Sequence, residues 1–129
     1  MNNSDRKALD GMKVVELSRG RSASMCGKAL ADYGADVILI EPIEGHETRL
    51  HGPFPDNIFH PEKSLQFLYL HSNKRSKVLD LDKDTDKQSF LELLRQVDLF
   101  VCDLSPTEAS NLKLDFETIQ KLNESLIGA

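Results

Sequence analysis

An α/β fold with a largely parallel sheet is predicted by three observations. Short β-branched runs alternate with helix-period segments along the chain. Two of those runs, residues 35–41 and 98–103, are nearly continuous apolar stretches, the pattern of strands covered on both faces. The 129 residues, 40% hydrophobic and 29% charged, suffice for one core and leave little for a second.

Residues 12–17 (Met-Lys-Val-Val-Glu-Leu) follow an Asp10-Gly11 turn signal and carry Val14 and Val15, so they read as the first strand. Residues 22–33 set Ala23, Cys26, Ala29, Leu30 and Tyr33 three and four apart, which predicts a helix. Ser22 or Ser24 is its expected cap and Gly34 its expected left-handed ending. Residues 35–41 supply the next strand. Strand, helix and strand within about 30 residues make a βαβ unit, with a right-handed crossover and parallel strands.

Residues 42–62 are rich in proline, hold three of the four histidines and show no period, so a long loop is expected. A short helix is predicted over 63–70 from Leu65, Phe67, Leu68 and Leu70, then a strand over 77–81. Residues 86–96 form a helix with Phe90, Leu91 and Leu94 on one face, and 98–103 form a buried strand. Pro106 opens a one- or two-turn helix, and residues 116–122 form another. Leu126 and Ile127 read as the start of a further strand, which marks the chain as an expected fragment of something longer.

Composition excludes several classes. No apolar run approaches the roughly 20 residues of a membrane span, and the Met-Asn-Asn-Ser-Asp-Arg-Lys start lacks a secretory signal's apolar stretch. Cys26 and Cys102 form neither a disulfide framework nor a metal knuckle; both are expected to pack as small hydrophobes in a reduced, cytoplasmic protein. The net charge is −5, and residues 78–108 alone hold 3 bases against 8 acids. The bases gather locally, at Arg19/Arg21 and Lys74/Arg75/Lys77. That rules against a broad nucleic-acid footprint and favours a compact anionic ligand.

Familiar catalytic motifs are missing. Arg19-Gly20-Arg21-Ser22 stands where a dinucleotide-binding glycine fingerprint would, and there is no phosphate-loop lysine motif or nucleophile elbow. His46, His51 and His60 lack zinc-site spacing; they are expected to be exposed loop residues, and no metal is expected. What remains is anion binding at the carboxyl ends of strands, where open α/β sheets hold their ligands. Three connections are expected there: Ser18-Arg19-Gly20-Arg21-Ser22, Ser72-Asn73-Lys74-Arg75-Ser76 and Asp103-Leu104-Ser105-Pro106-Thr107. Helical N–H groups, guanidinium groups and an ammonium are the donors such a site needs.

The order of these segments resembles the opening of the family III CoA-transferases, the carnitine and bile-acid CoA-transferase group. The resemblance is carried by residues 9–19, by Leu30-Ala31-Asp32-Tyr33-Gly34-Ala35-Asp36-Val37-Ile38-Leu39-Ile40-Glu41-Pro42, and by Thr48-Arg49 and Gly52-Pro53. It continues through Asn73-Lys74-Arg75-Ser76, Leu79-Asp80-Leu81 and Leu122-Asn123 as far as Ile127. It implies a Rossmann-like three-layer domain, with residues 1–129 as the N-terminal CoA-binding portion of a homodimeric enzyme. That enzyme would move CoA between an acyl-CoA and a small carboxylic acid. By motif position, the implied CoA contacts are Arg21, Ser22, Ser72, Asn73, Lys74, Arg75, Asp103 and Leu104. The family's nucleophilic aspartate would lie beyond the strand begun at Leu126, so no acid here is assigned a catalytic role and the chain alone is expected to be inactive. Two alternatives stay open: an acyl-CoA racemase of the same family, or a degenerate module without chemistry.

Departures from the family pattern fall in two of the three segments. Ser22-Ala23-Ser24 replaces Ala-Gly-Pro, and Asp103-Leu104-Ser105-Pro106-Thr107 replaces Asn-Phe-Arg-Pro-Gly. The second change puts a carboxylate beside the expected polyanion.

Overall fold

The computed structural model describes residues 5–129; the first four positions of the polar N-terminal run lie outside the described residues. Its strands are β1 (Lys13–Leu17), β2 (Asp36–Glu41), β3 (Arg75–Val78), β4 (Leu99–Cys102) and β5 (Ile127–Gly128). Its helices are α1 (Arg21–Asp32), α2 (Leu65–Leu70), α3 (Asp84–Gln96), α4 (Pro106–Asn111) and α5 (Phe116–Leu122). The strands form one sheet in the order β3-β2-β1-β4-β5, and every pair is parallel. Strand order runs outward from β1 on one side and restarts at β4 on the other. The sheet is therefore Rossmann-like, with its switch point between β1 and β4.

Alternation along the strands sends their side chains to two layers. Val15, Leu17, Ile40 and Phe100 join Phe90, Leu94, Leu114, Ile119 and Leu126 in one core under α3 and α5. Val14, Val37 and Val101 join Ala23, Ala31 and Ala35 in a smaller core under α1. Helices on both faces of the sheet make three layers.

Local differences from the predicted elements have identifiable causes. Neither Ser22 nor Ser24 caps α1: Gly20 is the N-cap, and the Ser24 hydroxyl donates back to the Gly20 carbonyl at 2.7 Å. Gly34 does end the helix, at φ +106°, where a Cβ would press on Asp10 and Lys7. Strand β3 starts two residues earlier than predicted, because Arg75 already pairs with Ile38, and past Val78 the Leu79 N–H still donates to the Glu41 carbonyl at 3.0 Å while its side chain enters the core. The 42–62 loop holds two single-turn 3-10 segments, Glu47–Leu50 and Pro55–Asn57. Cys26 is exposed on α1 and does not pack as a small hydrophobe; Cys102 is half-buried in β4. Among the described residues no helix is long and apolar enough to cross a membrane.

Candidate functional site at the carboxyl edge of the sheet

Two of the three predicted segments meet at the switch point. The β1–α1 turn presents the backbone N–H groups of Arg19 and Gly20 outward, and both donate to the Asp103 carboxylate at the end of β4. The distances are 2.9 and 3.1 Å from Arg19 and 2.6 Å from Gly20. The Arg19 guanidinium pairs with Glu108, which also completes the capping box of α4 with Ser105. Asp103 after β4 and Glu108 in α4 thus hold two sets of donors in the β1–α1 turn. Arg21 and Ser22 follow immediately and are exposed at the start of α1, while Leu104 is half-buried beside Asp103. The Gln66 side-chain amide lies beside the Arg21 guanidinium, and with its oxygen turned toward Arg21 it accepts from Nε and Nη2 at 2.9 and 3.2 Å.

The third segment sits elsewhere. Ser72, Asn73 and Lys74 precede β3 and so lie at the amino end of that strand, not at the carboxyl edge where the sequence reading put them. The reason is connectivity: the segment leads from α2 into a strand parallel to β2, so it enters the sheet at the amino end of β3. Ser72 accepts from Lys28 at 3.1 Å and the Asn73 amide donates to Asp32 at 2.8 Å, both along the far half of α1. Arg75 makes a bidentate pair with Asp36, at 2.9 and 2.6 Å. Lys74 turns inward beneath α1. Its ammonium is 2.7 Å from Glu16 Oε1 and donates to the Ser24 carbonyl and to His71 Nδ1, each at 2.9 Å. With 1% of its side chain exposed, it is a buried ion-pair partner.

Around that pair lies a polar cluster that sequence reasoning missed. Glu16, Glu41, His46 and His71 are all buried, so His46 is not the exposed loop histidine expected of it, whereas His51 and His60 are exposed. The cause is the first 3-10 turn. It folds His46 back under the sheet edge, where the His46 N–H donates to Glu41 at 2.8 Å. The Thr48 N–H donates to His46 Nδ1 at 3.1 Å, which leaves the ring proton on Nε2, pointing at Ser18 Oγ 3.0 Å away. The Ser18 hydroxyl in turn donates to Glu16 Oε2 at 2.6 Å. Arg49 clamps Glu41 with Nε and Nη2 at 2.8 and 2.9 Å, stacks on Phe67, and shares Glu41 with the Ser76 hydroxyl.

Burial sets the titration of this cluster. It pushes Glu16 up and Lys74 down, and their mutual attraction opposes both shifts. Burial also tends to raise Glu41, but the Arg49 guanidinium, the Ser76 hydroxyl and the His46 N–H hold its carboxyl down at about 2. Burial and then the Lys74 ammonium push His71 down to about 3, so it stays neutral, and its Nε2 finds no partner among the described residues. These charges are locked in pairs inside the molecule, which suits them to fixing the loop and α2 against the sheet. The signal for them was one glutamate in each of β1 and β2, in two-residue register with the apolar residues of the face turned to α1 (Val14, Glu16; Val37, Leu39, Glu41).

A cavity of about 510 Å³ opens between the ends of β1, β2 and β3. Its ionisable lining is Arg19 and His46 against Glu44, Glu47, Asp80 and Asp82, so its field repels a polyanion. Arg21, at the start of α1, lies outside that lining and is exposed. Among the described residues no three His, Cys, Asp or Glu side chains converge as a metal group.

Comparison with known proteins adds the lineage. Residues 9–129 match the family model described as CoA-transferase family III. The formyl-CoA:oxalate CoA-transferase of Rhodopseudomonas palustris is 36% identical over 124 residues, covering 95% of this chain and 28% of that protein. The acetyl-CoA:oxalate CoA-transferase of Acetobacter aceti is 32% identical over 122 residues, covering 94% and 30%. A solved CAIB/BAIF family protein from Brucella suis superposes with a TM-score of 0.85 at 29% identity, covering 95% of this chain and 32% of that one. The chain thus spans about 30% of the length of the relatives it matches.

Proposed function

The chain belongs to CoA-transferase family III, and from that premise we propose that it is the CoA-binding part of an enzyme moving CoA between an acyl-CoA and a carboxylic acid. One observation carries the binding claim. At the switch point of a Rossmann-like sheet, the N–H groups of Arg19 and Gly20 converge on a carboxylate, so this turn is built to receive an anion. In the proposal Arg21, Ser22 and Leu104 line the adjoining surface. Arg21 offers the ligand a guanidinium that is in no ion pair among the described residues. Lys74 acts from below, by holding α1 in place through Glu16 and the Ser24 carbonyl. Ser72, Asn73 and Arg75 are proposed to contact the ligand only where it extends along α1. The transfer step and a homodimeric assembly belong to the proposal for the whole protein.

Calorimetric titration with CoA tests the reading. Binding by the parent chain that weakens about tenfold in Arg21→Ala, the scale of one lost charge-assisted hydrogen bond, is the expected result. Undiminished binding by Arg21→Ala would remove that residue from the site. A parent chain that takes up no CoA would overturn the assignment. A second reading, a family member that has lost ligand binding, is favoured by one observation: Asp103 and Glu108 already occupy the donors of the first turn.

A further inference from the structure

The charge imbalance along the chain acquires a location in the structure. The acid-rich block of residues 78–108 ends in Asp103 and Glu108, and these two side chains reach across the switch point onto the first basic cluster. Asp103 takes the two backbone donors of the β1–α1 turn; Glu108 takes the Arg19 guanidinium. A phosphate oxygen approaching the same turn needs those same N–H groups, and two anions do not share them without strong repulsion. The fit is close on the glycine side as well: a Cβ at Gly20 would stand 3.2 Å from the Asp103 carboxylate oxygen. The carboxylate is therefore seated against bare backbone.

We propose that Asp103 is a built-in competitor for the ligand's phosphate, seated at the anion-receiving turn, so that CoA engages the turn only by displacing it. The inference rests on the CoA-binding reading above and concerns how that site is controlled. Displacement costs affinity, and it leaves Asp103 and Glu108 to fasten α4 to the β1–α1 turn whenever the ligand is absent. Glu108 is the weaker partner of the device, because it neutralises Arg19 without covering the backbone donors. The ligand-free turn is closed by the chain's own acid, and the bound turn is opened by the ligand's.

The experiment compares the parent chain with Asp103→Asn and Asp103→Ala, titrated with CoA and with inorganic pyrophosphate. Backbone amide resonances report the Arg19 and Gly20 N–H groups. The asparagine variant keeps a neutral acceptor on the turn, so it tests the charge even where the alanine variant fails to fold. The expected result is CoA binding about tenfold tighter in both variants, with pyrophosphate shifting the Arg19 and Gly20 amides in the variants and not in the parent. A parent that binds CoA as tightly as the variants, or more tightly, overturns the competitor and leaves the CoA reading standing. If no protein binds CoA yet pyrophosphate still shifts those amides only in the variants, the CoA reading falls and the competitor survives. Failure of both ligands with all three proteins removes both.

Discussion

The two faces of the sheet differ in what is buried beside their apolar cores. Under α3 and α5 the contacts are hydrocarbon: Phe90 and Phe100 meet edge to face at 5.9 Å, with Leu94, Leu114, Ile119 and Leu126 around them. Under α1 and α2 a smaller core of Val14, Val37, Val101 and alanines is joined by Glu16 and Glu41 from the same strands, with Lys74, Arg49, His46, His71, Ser18 and Ser24 around those acids. An apolar face tolerates small shifts, because dispersion is non-directional. An ionic face holds its elements at defined heights, because each charge loses its partner when the register moves. The second face is the one that carries the β1–α1 turn and its anion site.

The largest effects should come from removing one member of either face. Phe90→Ala should cost about 3–5 kcal/mol as a core truncation, read from chemical denaturation midpoints. Lys74→Met should cost a similar amount, about 3–5 kcal/mol, by leaving Glu16 buried without its cation. The faces separate in the double variant. Adding Glu16→Leu to Lys74→Met should recover most of the loss, since a pair replaced by hydrocarbon leaves no orphan charge. A Lys74→Met chain that unfolds within about 1 kcal/mol of the parent would mean that the pair is solvated, and the contrast would collapse.

A smaller effect is expected at Gly27. A Cβ there would overlap Glu16 Oε1, so Gly27→Ala should cost about 1–3 kcal/mol from overpacking. The penalty should shrink in a Glu16→Ala background. Equal penalties in both backgrounds would place the strain elsewhere.

The most diagnostic effect is pH dependence. His71 is held at about 3, below its ordinary 6.5, so the unfolded chain binds the extra proton and stability falls as pH drops from about 6.5 toward 3. Glu41 is held at about 2, below its ordinary 4.5, so its contribution is complete above pH 4.5 and lost as pH falls toward 2. In His71→Asn the upper part of that decline should flatten while the lower part remains. Denaturation midpoints followed from pH 7 to 3 that stay parallel in parent and variant would contradict the assignment.

Much of this architecture was legible in the residues. The β-branched run of β2 declared a strand covered on both sides, and Gly34 declared the helix end, because both signals are local. The family motifs identified the lineage for the same reason. The pairing of charges was not legible. Lys74 reads as a loop cation available to a phosphate, and only the packing of α1 over β1 shows that it belongs to Glu16. His46 reads as an exposed loop residue until the 3-10 turn brings it under the sheet edge. Asp103 could be suspected of opposing a polyanion, but not of sitting on the Arg19 and Gly20 amides, 83 or more residues away in the chain.

The sequence by itself determined the α/β class, the order of the elements and the family, because hydrophobic period, turn chemistry and motif order are written residue by residue. Tertiary structure alone decided which of the basic residues stay open to a ligand. An ion pair depends on distance in space, and parallel strands bring together acids and bases that the chain keeps far apart. The one pairing rule available beforehand was the two-residue period of the strands, which faces Glu16 and Glu41 toward α1 without naming their partners.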